Sequence, residues 1–208
     1  MKQLTFKGFN IIILYTNLII TNYINEMGIF MSDKNIKNYI EKDISEFHIP
    51  RWEEIPNIDL YMDQAIIILE KYLESYIDNR SEKIITKTMI NNYVKQQILE
   101  PPVNKKYNRE HIATLFVICI LKQVYSIPDI SELIKLALKK HSIEASYNKF
   151  CDELENSITL IFKGEDYFEN RIMNKEIYLL RNVVLSFANK LYVTKTFLGK
   201  GTSSKENS

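Results

Sequence analysis

From Ile112 to Leu121 the chain reads Ile-Ala-Thr-Leu-Phe-Val-Ile-Cys-Ile-Leu, with Thr114 as its one polar side chain. A helix that is apolar on every side has no face to offer water, so it belongs at the centre of a core with other elements packed around it. Pro101-Pro102 stand just upstream and forbid helix beyond Leu99. Asn108 is a good N-cap, so the apolar helix is predicted from Arg109 to about Gln123. The chain has 208 residues but only five Gly and five Pro. With abundant Ile, Leu, Lys and Glu, it favours helices over a turn-rich β fold. The expected class is therefore mainly all-α.

The elements around that helix follow from periodicity and punctuation. Met62, Ala65, Ile66, Leu69, Leu73 and Tyr76 recur at helical spacing, with Asn57 or Asp59 as the cap and an end near residues 78–81. Before it, Ile49-Pro50 and Ile55-Pro56 bracket Arg51-Trp52-Glu53-Glu54, an extended lead-in placed to dock its Trp on the domain. A short helix from Thr88 to about Gln96 has Met89, Ile90, Tyr93 and Val94 on one stripe. Val103 to Tyr107 reads as a tight, basic, two-stranded turn. Ser126-Ile127-Pro128-Asp129 is a helix start, with Ser as cap and Asp in the first turn, and Ile130, Leu133, Ile134 and Ala137 form the apolar face that follows. Tyr147, Phe150, Leu154, Ile158 and Ile161 mark another helix. The last carries Ile177, Leu180, Val184, Phe187 and Leu191 in steps of three and four, a heptad seam that predicts a homodimer or packing on its own domain.

Net charge over the chain is +1. Arg80 to Ile112 holds seven basic residues against three acids, a local balance of +4, so the positive charge is concentrated here. Within this stretch, Thr86, Lys87, Thr88, Asn91, Asn92 and Lys95 supply hydroxyl, amide and ammonium donors. Asn bonds adenine edges bidentately, and Lys reaches guanine or phosphate. Asn104, Lys105, Lys106 and Tyr107 at the turn, and Arg109 in the first turn of the apolar helix, are placed for phosphate. These eleven residues are the expected contacts to double-stranded DNA.

The order of short polar helix, Pro break, basic turn, Asn-capped buried helix and Ser-x-Pro-Asp helix resembles the MerR family of winged-helix regulators over about Ile84 to Leu138. Thr86 to Tyr93 resembles its recognition helix, Ile98 to Pro102 the approach to its wing, Lys105 to Glu110 its basic residue, tyrosine and cap, and Ile127 to Ile134 the start of its fourth helix. The resemblance implies a winged helix-turn-helix with a recognition helix at about 86–97 and a two-stranded wing at about 101–107, followed by a helical region. It implies a transcription regulator. Asn91 stands where that family usually has Arg, and Gln97 where it has Gly. From about Trp52 to Leu138 the chain also closely resembles the bacterial domain of unknown function 1836, on the phrases Arg51 to Gln64 and Thr86 to Lys95. That likeness carries fold more than function.

The expected organisation is a leader at 1–30, a lead-in at 31–58, the DNA-binding domain at 59–140, a dimerisation or effector region at 141–198, and a tail at 199–208. The leader has Lys2 and Lys7 before a broken apolar run of Ile11 to Ile20, shorter than the about 20 residues a span needs. It reads as an upstream extension, with Met31 as the natural start, or as a membrane anchor. Cytoplasmic location is expected in the first case. Ser142 to Phe168 has room for a small-molecule effector. The competing function is a helical protein-interaction adaptor that keeps the fold without binding DNA. An enzyme is not expected: Glu53, Glu54, Asp59 and Asp63 have structural uses in a loop and a helix start, and His48, His111 and His141 form no metal or catalytic pattern. No cofactor or metal is expected, and Cys119, in its apolar run, is expected to be a core residue.

Overall fold

A computed structural model describes residues 47–77, 83–164 and 174–198. The chain divides into two units, Met1–Ser45 and Glu46–Ser208; the first lies outside the described residues. Expectations for the leader, for residues 31–46 of the lead-in, for residues 165–168 and for the tail fall outside them as well. The described elements are a 3-10 turn (Trp52–Glu54), strand β1 (Leu60–Tyr61), helix α1 (Met62–Leu73), helix α2 (Lys87–Lys95), strand β2 (Lys106–Tyr107) and helices α3 (Arg109–Leu121), α4 (Ile127–Leu138), α5 (Ile143–Lys163) and α6 (Lys175–Val193). The fold is mainly helical, with one two-stranded antiparallel sheet among the described residues.

Helix α3 is the hub. Ile112, Leu115, Phe116, Ile118, Cys119 and Ile120 are all fully enclosed. Helices α1, α4, α5 and α6 and strand β2 all pack on it. The Asn108 side-chain oxygen accepts the His111 N–H at 3.1 Å and starts the helix as predicted. Tyr72 meets Phe116 edge-on at 5.9 Å, and Tyr147 tilts against the same ring at 6.4 Å, so Phe116 joins α1, α3 and α5. Burial also pushes the Cys119 and Cys151 thiols up to about 12.

The lead-in docks on α5. Ile49 and Ile55 are buried. The Tyr147 hydroxyl donates to the Pro50 carbonyl at 2.8 Å, and the Trp52 N–H donates to the Asn148 side chain at 2.8 Å. Arg51 grips Glu155 through both terminal nitrogens at 2.7 and 2.6 Å, and that carboxylate holds the guanidinium proton more firmly than usual. The Arg51 N–H, at 2.7 Å, holds the Glu54 carboxyl below the usual carboxylate range.

Three expectations are corrected. Helix α1 ends at Leu73, short of the predicted 78–81. Helix α1 starts at Met62 and is not capped by Asn57 or Asp59; Gln64 accepts the Tyr61 N–H at 2.9 Å instead. The start is late because Leu60 and Tyr61 are drawn into the sheet. The face Ile130, Leu133, Ile134 and Ala137 of α4 is only partly covered: Ile130 is buried, Leu133 and Ile134 half-buried, and Ala137 exposed. Of the two readings of the α6 heptad stripe, packing on its own domain is the one observed. Val184, Phe187 and Leu191 are buried within the chain, Ile177 and Leu180 half-buried, and α5 is the helix they pack on, so this stripe is not free to be a dimer surface. The inward face of α5 is filled by Tyr147, Phe150, Leu154 and Ile158.

Both cysteines are enclosed and held in the thiol form, so neither should react with a thiol reagent in the native protein at about pH 8. Titration with a chromogenic disulfide is expected to find no reactive thiol in buffer and two in denaturant. Stoichiometric reaction in buffer would place one of them outside the core.

Candidate nucleic-acid interface

Helix α2 begins with Thr86, whose hydroxyl accepts the Met89 N–H at 3.1 Å. Ile90 and Tyr93 are buried and fix which side faces the core. Ile84 and Ile85 anchor the approach, and the Lys122 ammonium reaches the Met89 sulfur at 3.6 Å. The opposite side is left to solvent: Lys87, Thr88, Asn91, Asn92 and Lys95 are all exposed. Their spacing of one, three, one and three puts them on a single face.

The end of α2 is built as a Schellman motif. The Ile98 N–H reaches the Tyr93 carbonyl at 3.0 Å and the Gln97 N–H the Val94 carbonyl at 3.0 Å, with Gln97 left-handed at φ 57°. Buried Ile98 beside buried Tyr93 supplies the apolar contact that usually accompanies this stop. This is the position where Gly would be unstrained; Gln holds it at a cost.

After the prolines the chain reverses over Asn104-Lys105. Both have positive φ, 52° and 62°, and the Lys106 N–H closes the turn on the Val103 carbonyl at 2.9 Å. Positive φ at both central residues is the requirement of a type I′ hairpin turn. Val103 bridges Lys106, and β2 then pairs with β1 in the register Leu60 to Tyr107 and Tyr61 to Lys106. The sheet therefore joins segments far apart in sequence, where the predicted two strands lie wholly within 101–107.

Two contacts tie the turn and α2 to the same short segment. The Lys106 ammonium lies 5.4 Å from the Tyr61 ring centre, and the Lys87 ammonium lies 2.6 Å from Asp63. Tyr61 and Asp63 are two residues apart at the start of α1, so that start links the two basic elements. Neither is among the predicted site residues. Tyr61 is 57% exposed, and no local pattern marks it because its partner Lys106 is distant in sequence.

The predicted contacts divide accordingly. Lys87, Thr88, Asn91, Asn92, Lys95, Asn104 and Lys105 are exposed, and Lys106 is half-buried. Thr86 is occupied as the cap. Tyr107 is fully buried, edge-on to His111 at 5.5 Å, and burial raises its pKa; it packs the hairpin and does not face outward. Arg109 is turned into the domain: its side chain is 14% exposed, over the Trp52 ring at 5.6 Å and 3.3 Å from Glu53. Among the described residues no cluster of three His, Cys, Asp or Glu side chains could hold a metal ion, and no helix is long and apolar enough to cross a membrane.

Replacing Gln97 with Gly should relieve the left-handed strain at the end of α2 and stabilise the protein by about 1 kcal/mol, raising Tm by a few degrees. Gln97→Val should lower it. Thermal unfolding by circular dichroism reads both; a Gly variant less stable than the parent would mean that the Gln side chain contributes more than its backbone costs.

Residues 50–150 match the family model described as Domain of unknown function (DUF1836). No curated protein and no solved structure matches the chain. The matched span contains the docked lead-in from Pro50, helices α1 to α4, the hairpin and the first turns of α5. Over residues 50–150, therefore, the chain is similar to this family of domains of unknown function.

Proposed function

We propose that the protein is a sequence-specific double-stranded-DNA-binding transcription regulator of the MerR-like winged helix-turn-helix type, with α2 as the recognition helix and the Val103–Tyr107 hairpin as the wing. One observation supports this most: an exposed face of two lysines, two asparagines and a threonine on a firmly seated short helix, together with a turn, tied to the same start of α1, that exposes Asn104 and Lys105. Amides and ammonium groups on the outer face of a short helix suit a major groove, where Asn91 and Asn92 would read base edges. Lys87, Lys95 and Lys105 would contact phosphate. Asn91, where the MerR pattern has Arg, shifts the reading from guanine toward adenine. Tyr107 and Arg109 support the wing and the start of α3 from within; they do not touch DNA.

An acid also belongs to this face. Asp63 pairs with Lys87 in the free protein, and both side chains are well exposed. An exposed pair of this kind contributes at most about 1 kcal/mol, so a phosphate can displace it.

The test is binding to the duplex upstream of the protein's own gene, measured by anisotropy over a salt series. The wild type is compared with a variant carrying Asn91→Ala, Lys95→Ala and Lys105→Ala. All three positions are exposed, so far-UV circular dichroism should not change. Wild-type affinity should fall steeply with salt. The variant should bind about a hundredfold or more weakly, and its salt dependence should be shallower by about one for each phosphate that is no longer neutralised. Equal binding by the two proteins would remove α2 and the turn from the interface. A wild type that ignores duplex even at low salt would leave the adaptor reading in its place.

A further inference from the structure

Helix α4 leaves most of its apolar surface uncovered. Of its apolar side chains only Ile130 is buried, while Leu136 is 48% and Leu138 38% exposed. A helix of twelve residues is marginal in water on its own, and packing of its apolar face normally supplies its stability. Here that face forms one wall of an open groove. Leu133 and Leu136 of α4 stand across from Leu179 and Val183 of α6. Tyr178 and Leu179 are themselves well exposed, so the apolar surface continues onto the start of α6.

The charges on the groove are sorted along the helix. Asp129 and Glu132 lie toward the N-terminal end of α4 and Lys135 and Lys139 toward the C-terminal end, with Leu133 and Leu136 in the stretch from Glu132 to Lys139. A uniformly acidic or basic partner would meet like charge at one end. A second α4 running antiparallel meets opposite charge at both ends and leucine in the middle. That is the condition for an isologous, two-fold contact, in which each patch is its own complement.

We propose that the face formed by α4 and the start of α6 seats a second copy of this chain, with the two α4 helices antiparallel across a two-fold axis near Leu136. The heptad stripe of α6 is internal, so pairing uses the adjacent, groove-lining side of that helix. Pairing through α4 is independent of whether α2 enters a duplex.

Light scattering and sedimentation equilibrium on the full chain test this. The wild type should dimerise with Kd in about the micromolar range. Leu136→Glu should be monomeric at the same concentrations with unchanged circular dichroism, since Leu136 is half exposed. A two-fold interface counts every substitution twice, so Glu132→Lys and Lys139→Glu should each weaken the dimer by about tenfold or more. Combining the two reverses the order of charge on both copies and should restore affinity to near the wild-type value. A wild type that stays monomeric to about 100 µM would overturn the proposal. So would a dimer indifferent to Leu136→Glu, or a double variant weaker than either single one.

Discussion

The burial of α3 on all but the stripe of Glu110, Thr114 and Val117 is the constraint from which the rest of the structure follows. A helix with Phe116, Ile118 and Cys119 all enclosed must be wrapped, and its neighbours are fixed in place by that wrapping. Phe116 alone ties three helices together, through Tyr72 of α1 and Tyr147 of α5. Truncating such a ring to Ala costs on the order of 3–5 kcal/mol, a large part of the stability of a domain this size. The lead-in adds a second tie, because Arg51 and Trp52 bind α5 through Glu155, Asp152 and Asn148.

What this scaffold holds outward is small and hydrophilic. Helix α2 buries only Ile90 and Tyr93, and its Schellman stop at Gln97 returns the chain at once to buried Ile98 and Leu99. The prolines then straighten the chain into a two-residue turn whose tip is basic. The start of α1 binds both parts, through Tyr61 under Lys106 and Asp63 beside Lys87. Two adjacent residues in left-handed conformation at Asn104-Lys105, and a third at Gln97, place all the positive-φ non-glycine residues of the described fold in this one region. Local strain gathered around a candidate binding surface is consistent with a shape selected for contact over stability.

Local signals in the sequence are legible and long-range ones are not. Asn108 and Ser126 cap their helices as read, because a side chain and an N–H three residues on are all that a cap requires; Thr86, read as a DNA contact, caps α2 by the same means. The double proline and the apolar run locate α3 for similar reasons. The turn at Gln97 is legible through the resemblance that expects glycine there. The pairing of Leu60–Tyr61 with Lys106–Tyr107 is not, since nothing in either dipeptide names the other, and so the late start of α1 and the place of Tyr61 and Asp63 beside the site escape a reading of the sequence. Tyr107 and Arg109 read as phosphate ligands by type and position, yet Trp52, Glu53 and His111 draw them inward. The α6 stripe has a periodicity that fits an internal or an external partner equally, and only the packing of α5 distinguishes them.

The central claim is that α2 and the hairpin tip form one outward surface that engages duplex DNA. Amide chemical-shift mapping of the isotopically labelled chain during titration with a short duplex tests it residue by residue. Shifts should concentrate on Lys87 to Lys95 and on Asn104 to Lys106, with α5 and α6 unmoved. Shifts centred on other helices, or none at low salt, would contradict it.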